Sequence, residues 1–151
     1  MLKVLSALFL LAPHLGWIEA ARSFMPKQHR EDFYATKVVT LGQYSVGKTS
    51  LINRLANNTH TAQRTPTVQI SLTTWTGQID GRAARINFWD TVGQEQFAPL
   101  AALYYRNADI ILVVFDLTCK SSFEVAKTWL ERVQKIHNDK QQAIILVGNK
   151  S

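Results

Sequence analysis

The sequence predicts an α/β protein with a mostly parallel open sheet and helices on both faces. Three observations indicate this class. Predicted strands alternate with predicted helices from Lys37 onward. The run Ile110–Phe115 is wholly apolar, as is typical of a strand buried on both faces. A glycine-containing segment at 42–49 joins the first strand to the first helix, and open sheets bind ligands at the carboxyl ends of their strands.

The first half of the sheet follows from short local patterns. Lys37–Leu41 is rich in β-branched residues and runs into a glycine, so we expect a strand there and a helix over 48–57. Val68–Gln78 alternates as an antiparallel edge strand does, and an Asp-Gly pair at 80–81 is a hairpin signal. Ala83–Trp89 is then the return strand.

The second half adds an amphipathic helix over 121–137 and a buried strand at Ala143–Val147. The apolar stripe of this helix has a period near 3.6 residues, as an α-helix requires. The stripe consists of Phe123, Ala126, Trp129, Leu130, Val133 and Ile136. Ser121 and Glu124 have the spacing of a capping box at the start of the helix.

Composition excludes several other classes of protein. The chain has 151 residues, which suits one domain, and 46% hydrophobic residues, which is too apolar for a wholly disordered chain. Its one cysteine excludes an internal disulfide framework and a multi-cysteine metal cluster. The net charge of +6 is scattered without a run of five basic residues, so we expect no nucleic-acid partner.

The N-terminal region differs in composition from the rest. Residues 1–21 combine a lysine, an apolar run and small residues, which is the pattern of a signal peptide or an anchor. An amphipathic start helix and translated sequence foreign to the mature protein are the alternatives. Residues 22–36 are polar and mixed in charge, so we interpret them as a linker before a domain at 37–151.

The most informative segment is Gly42–Thr49, which fits G-x-x-x-x-G-K-[ST] at a strand-to-helix junction. Its glycines let the backbone wrap around phosphates, so that amides and a helix N-terminus face the anion. Lys48 supplies a charge for the β- and γ-phosphates, and the Thr49 hydroxyl can ligate Mg²⁺. An ordinary glycine-rich turn is the alternative, but the strand–loop–helix context favours phosphate binding.

Further polar residues stand where a nucleotide switch needs them. Thr67 lies in a polar segment before the second strand, and an Asn-Lys pair at 149–150 follows the fifth. Asp90, at a strand end, can hold Mg²⁺ through water. The Gly93 amide can reach a γ-phosphate, and Gln94 can orient an attacking water.

With these motifs, the sequence resembles the Ras-like small GTPases, and most closely the Rab family. The matching segments read GQYSVGKTS, PTV, WDTVGQEQF, YYRNAD, VVFDLT and VGNK. The resemblance covers residues 37–151. It implies a P-loop NTPase G domain that takes GTP or GDP with Mg²⁺, here lacking the last strand and helix of the family.

The resemblance also implies a role for each matching residue. The nucleotide-binding residues would be Gly42, Ser45, Val46, Gly47, Lys48, Thr49, Ser50, Thr67, Gly93, Asn149 and Lys150. The residues holding Mg²⁺ would be Thr49, Thr67 and Asp90. Gln94 would be the catalytic, water-orienting glutamine, while Asn149 and Lys150 would frame the guanine base.

Three residues near the nucleotide depart from the family pattern. Tyr44 stands where members carry glycine or another small residue, and its ring either crowds Gln94 and any arginine finger or swings into solvent. Val92 replaces an alanine, and its β-branch would stiffen the adjacent glycine hinge. His60 stands in place of a phenylalanine that packs edge-on to the base.

The expected partners are exchange factors, GTPase-activating proteins and trafficking effectors, which would bind residues 64–104. Trp89 and Tyr104 match two of the three aromatic effector contacts of Rabs. Leu72 replaces the third, which puts effector recognition by analogy in doubt.

Arg64 suggests a second catalytic residue. It lies three residues before Thr67, the offset at which heterotrimeric G-protein α subunits carry an arginine that stabilises the transition state. We hypothesise that Arg64 acts as such a finger in cis and partly offsets Tyr44. The alternative is a solvated arginine in a switch loop.

The chain ends at Ser151, directly after the Asn-Lys pair. The motif of the resembled family is Asn-Lys-x-Asp, and the aspartate that reads guanine would be the next residue. We therefore expect poor GTP binding and undetermined guanine specificity. The missing last strand and helix of the family would also leave an apolar sheet edge and one sheet face uncovered.

The sequence thus predicts a Rab-like switch that hydrolyses GTP slowly and regulates vesicle trafficking at the cytoplasmic face of endomembranes. A non-catalytic, nucleotide-dependent binding module and a truncated non-functional fragment are the alternatives. No lipidation cysteine is encoded, so membrane contact would be indirect or through the leader. The leader leaves secretory or organellar targeting open.

Overall fold

A computed structural model describes residues 4–5, 33–59, 69–93, 98–135 and 142–150. The elements in these ranges are β1 (Val4–Leu5), β2 (Phe33–Leu41), α1 (Lys48–Asn57), β3 (Ser71–Ile79), β4 (Arg82–Asp90), α2 (Ala98–Tyr105), β5 (Ile110–Asp116), α3 (Lys120–Gln134) and β6 (Ala143–Asn149). Within the described ranges, no helix is both long and apolar enough to cross a bilayer.

The strands form one sheet in the order β1-β6-β5-β2-β4-β3. Every neighbouring pair is parallel except β3 and β4, which form an antiparallel hairpin. Asp80 and Gly81 turn this hairpin with φ values of 54° and 76°, the left-handed conformation of a tight turn. The predicted mostly parallel open sheet and its hairpin are confirmed.

Helices lie on both faces of the sheet, as the predicted fold class requires. Alternate residues of a strand face opposite sides, so Val38 and Val39 of β2 enter different cores. Val38 packs in a cluster with Ile52 of α1. Val39 packs in a second cluster with Tyr105 of α2 and Trp129 of α3. All seven residues of β5 are buried, because this strand lies in the middle of the sheet with helices on either side.

Strand β2 begins earlier than the sequence predicts. It starts at Phe33 rather than Lys37, and residues 33–36 pair in register with residues 83–86 of β4. Thr36 is buried, and the Tyr34 hydroxyl accepts a hydrogen bond of 2.8 Å from the Arg82 guanidinium. The last four residues of the predicted linker therefore belong to the sheet, because the long β4 strand offers them a continuous ladder.

The capping-box prediction for α3 is wrong. The helix begins at Lys120 with Cys119 as its N-cap, so Ser121 lies inside the first turn, and no side chain caps this end. Ser122 connects this end of the helix to β5 instead. Its hydroxyl donates to the Cys119 carbonyl at 2.7 Å and accepts from the Asp116 amide at 2.9 Å.

The outer edge of the sheet also differs from expectation. Only Ala143 and Ile144 of β6 are fully buried, so the strand is less enclosed than its apolar sequence predicts. Val4 and Leu5 pair in parallel with Ile144 and Ile145, which partly covers the edge that we expected to be bare. The other leader residues lie outside the described ranges.

Candidate functional site

The loop between β2 and α1 has the backbone that the phosphate-binding motif requires. Gly42, Ser45 and Gly47 adopt φ values of 143°, 64° and 94°. A Cβ atom on Gly42 would collide with the carbonyl oxygen of Val114, and one on Gly47 would collide with the Asn149 side chain. Both positions therefore require glycine, and the backbone closes into a cradle at the start of α1.

Lys48, the first residue of α1, lies inside this cradle. It is only 6% exposed, and its ammonium donates to the carbonyls of Gly42 at 3.0 Å and Gln43 at 2.8 Å. Burial lowers its pKa to about 8, although the negative charge of Asp90 acts in the opposite direction. A cation held in a partly dehydrated loop in this way is well placed to meet an anionic group.

Two side-chain oxygens that could ligate a cation, those of Thr49 and Asp90, lie side by side next to the loop. The Thr49 hydroxyl donates to the carboxylate of Asp90, which ends β4 and is 2% exposed. The Thr40 hydroxyl contacts the other carboxylate oxygen at 3.5 Å. A hydroxyl and a carboxylate are hard oxygen ligands of the type that Mg²⁺ prefers, so this pair fits that ion.

Gly93 brings the segment after β4 against the loop between β2 and α1, residues 42–47, which we call the phosphate-binding loop. An added Cβ would lie 2.6 Å from the Tyr44 amide nitrogen and would collide with the Lys48 ammonium. The Thr91 hydroxyl anchors this segment by donating to the Thr40 carbonyl at 2.6 Å. The backbone at Gly93 can lie this close to the loop only because it has no side chain.

The end of β6 completes the site on its other side. The Asn149 amide donates to the Val46 carbonyl of the loop at 2.8 Å. Lys150, in a left-handed conformation with φ of 63°, forms an ion pair of 2.8 Å with Asp116. The two residues of the Asn-Lys pair therefore have separate anchors, one in the loop and one at the end of β5.

The structure gathers most of the predicted site residues at the carboxyl edge of the sheet. These are Gly42, Ser45, Val46, Gly47, Lys48, Thr49, Asp90, Gly93, Asn149 and Lys150. Ser50 lies in the first turn of α1 and is partly buried. The predictions for His60, Arg64, Thr67 and Gln94 fall outside the described residues.

Comparison with known proteins agrees with this geometry. Residues 37–151 match the model of the Ras family. The chain belongs to the Ras family. It is 44% identical over 115 residues to the GTP-binding protein YPT53 of Saccharomyces cerevisiae, an alignment that covers 76% of this chain and 51% of the relative.

Plant Ras-related proteins are similar too. RABA5e of Arabidopsis thaliana is 39% identical over 117 residues, covering 78% of this chain and 53% of its own length. RIC2 of Oryza sativa is 36% identical over 118 residues, an alignment that covers 78% of this chain and 54% of RIC2. Within the Ras family the chain is thus similar to Rab and Ypt proteins, the resemblance that its motifs predict. It spans about half the length of the curated relatives it matches.

The departures from the Ras-family pattern lie mostly at the surface. Tyr44 is 48% exposed and Leu72 is 53% exposed, whereas Val92 is partly buried. The ring centroids of Trp89 and Tyr104 lie 5.3 Å apart, and the ring planes are inclined by 44°. These two residues, which match aromatic effector contacts of Rabs, therefore form one surface. The exposed Tyr44 side chain agrees with the alternative in which its ring points towards solvent.

Sequence reasoning missed two polar residues of this Ras-family site. Thr40 contacts Asp90 through its hydroxyl and accepts, through its carbonyl, the bond from Thr91. Asp116 holds Lys150. Both sit near the carboxyl ends of parallel strands, the position where open sheets place ligand-binding groups, and that rule could have indicated them.

Proposed function

We propose that this chain is a GTP-binding switch that hydrolyses GTP to GDP with Mg²⁺ and acts in vesicle trafficking. The observation that carries the proposal is the closed loop around Lys48, with the Thr49–Asp90 oxygen pair beside it. Three features together suit a nucleotide polyphosphate with a bound Mg²⁺ better than a single phosphate: the buried Lys48 ammonium, the closed backbone of the loop and the pair of hard oxygen ligands.

The residues present fit the proposed ligands. Gly42, Gly47 and Gly93 leave backbone where a side chain would fill the cradle. Thr49 and Asp90 would hold Mg²⁺, together with Thr67. The bound ion would neutralise charge on the phosphate oxygens. The chain's own part is to present Lys48 to the phosphates and to orient the ion's oxygen ligands.

Hydrolysis would depend on residues after β4 and before β3. We assign Gln94 to orient the attacking water, and Arg64 to contribute a positive charge near the transferred phosphoryl group. Gly93 and Thr67 would contact the γ-phosphate and release it after hydrolysis, so that both segments respond to the nucleotide state.

The proposed partners are exchange factors, GTPase-activating proteins and effectors that bind within residues 64–104. The paired rings of Trp89 and Tyr104, with the exposed Leu72, offer an apolar surface for such contacts. The proposed location is the cytoplasmic face of endomembranes. The family match begins at residue 37, so the signal-peptide interpretation of residues 1–21 gains no support from it and stays a prediction.

The proposal is tested by binding and turnover of the 151-residue chain. Fluorescent GDP and GTP are titrated with and without Mg²⁺, with ATP as a competitor, and phosphate release is then followed in a single turnover. We expect weak guanine-nucleotide binding that Mg²⁺ strengthens, followed by slow release of phosphate. Binding without release would favour the non-catalytic module, and no binding of either nucleotide would contradict the proposal.

A further inference from the structure

Asp116, at the carboxyl end of β5, has a carboxylate whose two oxygens serve different groups. One oxygen accepts hydrogen bonds from the Thr118 amide at 2.9 Å and from its hydroxyl at 2.6 Å. The other accepts from the Lys150 ammonium at 2.8 Å. The bond from Lys150, followed by those from Thr118, lowers the carboxyl pKa to about 2, so the group is ionised throughout the neutral range.

The main chain around Asp116 is fixed as firmly as its side chain. Its amide donates to the buried Ser122 hydroxyl at 2.9 Å, and its carbonyl accepts from the Cys119 amide at 3.0 Å. The next amide, that of Leu117, donates to the Asn149 carbonyl at 2.9 Å. The start of α3, the end of β5 and the end of β6 therefore form one connected frame.

Lys150 depends on this frame for its position. Its backbone is in the left-handed region, with φ of 63°, which is unfavourable for a residue with a side chain. Its side chain is 43% exposed, so packing against neighbours leaves it considerable freedom. The bond to a carboxylate that is itself held by Thr118 selects one direction for the lysine side chain.

We propose that Asp116 is a positioning residue that holds Lys150 in place to contact the base of the nucleotide. The inference rests on the proposed function, since Lys150 frames a base only if the chain binds a nucleotide. Asn149 is anchored separately, through Val46 of the phosphate-binding loop. Because this separate anchor belongs to the Asn149 side chain, we expect the Asp116 carboxylate to affect contacts to the base much more than contacts to the phosphates.

The main variant is Asp116→Asn, which keeps the size of the side chain and an oxygen for Thr118 but removes the charge facing Lys150. Lys150→Met and the double variant complete a mutant cycle. Glu124→Gln is the matched control, because it neutralises a carboxylate of α3 that pairs with Lys127 at the surface. Binding is measured for GDP and for the base-free ligand tripolyphosphate, both with Mg²⁺.

We expect Asp116→Asn to weaken GDP binding about tenfold, as loss of a charged hydrogen bond would, while tripolyphosphate binding changes less than about twofold. In the Lys150→Met background the same substitution should have no further effect on GDP. Equal weakening for both ligands, or additive effects in the cycle, would overturn the proposal.

A second measurement needs no nucleotide. The rate at which an amine-acetylating reagent modifies Lys150 is followed by mass spectrometry in the free protein. We expect severalfold faster acetylation in Asp116→Asn than in the unsubstituted chain or in Glu124→Gln. Equal rates would show that Asp116 does not hold Lys150 and would refute the positioning role. Absence of GDP binding in the unsubstituted chain, with faster acetylation in the variant, would instead refute the proposed function.

Discussion

The side-chain amide of Asn149 donates a hydrogen bond of 2.8 Å to the carbonyl of Val46, and so connects the end of β6 to the phosphate-binding loop. The two residues are 103 positions apart in the sequence. The bond also passes beside Gly47, where any Cβ atom would collide with the same amide. The end of one strand thereby limits the shape that the loop can adopt.

The first prediction concerns this bond. Asn149→Ala should lower the free energy of unfolding by about 1–3 kcal/mol, because the Val46 carbonyl would lose its partner in a partly buried place. It should also weaken nucleotide binding, since the loop would no longer be held. Urea unfolding and GDP titration measure the two effects.

Asn87→Ala is the matched control for Asn149. The Asn87 side chain accepts a hydrogen bond from Thr74 on the exposed hairpin, and this bond does not involve the phosphate-binding loop. Loss of this hydrogen bond should lower the free energy of unfolding by less than about 1 kcal/mol and leave GDP affinity unchanged. If both variants weakened GDP binding equally, the specific role of Asn149 would be rejected.

The second prediction separates crowding from backbone conformation at two glycines. Gly42→Ala should destabilise the chain by about 2–4 kcal/mol, because the new Cβ would meet the Val114 carbonyl, which belongs to the central strand and cannot move aside. Gly81→Ala should lower the free energy of unfolding by only about 1–2 kcal/mol. Gly81 also has a positive φ, of 76°, but nothing lies within 4 Å of the place that a Cβ atom would occupy. Thermal or urea unfolding measures the loss of stability in each variant. If Gly42→Ala and Gly81→Ala lost similar free energies of unfolding, the positive φ alone would explain both losses.

The third prediction tests the Thr49–Asp90 pair as an oxygen site for Mg²⁺. Thr49→Ala should reduce the enhancement of GDP affinity by Mg²⁺ about 10–100-fold, as loss of a group at a metal site does. Thr49→Ser keeps the hydroxyl and should retain most of the enhancement. Thr74→Ala removes an exposed hydroxyl of β3 and serves as the control. GDP titrations at several Mg²⁺ concentrations give the measurement, and an unchanged Mg²⁺ dependence in Thr49→Ala would exclude this site.

The phosphate-binding loop could be predicted from sequence because its chemistry fixes its spacing. Gly42, Gly47 and Lys48 must stand at set distances for the backbone to close around an anion, so a pattern of eight residues carries the geometry. The wholly apolar run of β5 was equally informative, since a strand covered on both faces typically has that composition.

Other features depend on contacts between distant segments, which no local pattern records. Residues 33–36 look like a polar linker, but β4 gives them a partner along their whole length. Helix α2, which local patterns did not predict, packs Tyr105 against the core formed by β2 and α3. Asp116 acquires its role from Lys150, which follows a different strand.

The fourth prediction follows from the lowered pKa of Lys48. Free protein loses this proton above a pH of about 8, whereas a bound polyphosphate would favour the charged ammonium. Binding above that pH must therefore take up a proton, so GDP affinity should be constant from about pH 6.5 to about 7.5 and should fall by up to about tenfold per pH unit above about 8. GDP titrations from about pH 6.5 to about 9.5 measure this.

Lys48→Arg is the control for this pH dependence, because a guanidinium keeps its charge throughout the range. Its GDP affinity should be lower, since a planar fork replaces the compact ammonium between the Gly42 and Gln43 carbonyls, but it should lack the fall above a pH of about 8. At each pH, the GDP affinity of the unsubstituted chain is divided by that of Lys48→Arg. Protonation of the nucleotide itself affects both affinities equally and so does not change this ratio. A ratio that stayed constant up to about pH 9.5 would mean that Lys48 keeps its proton, and that the phosphates meet a cation whose pKa burial has not lowered.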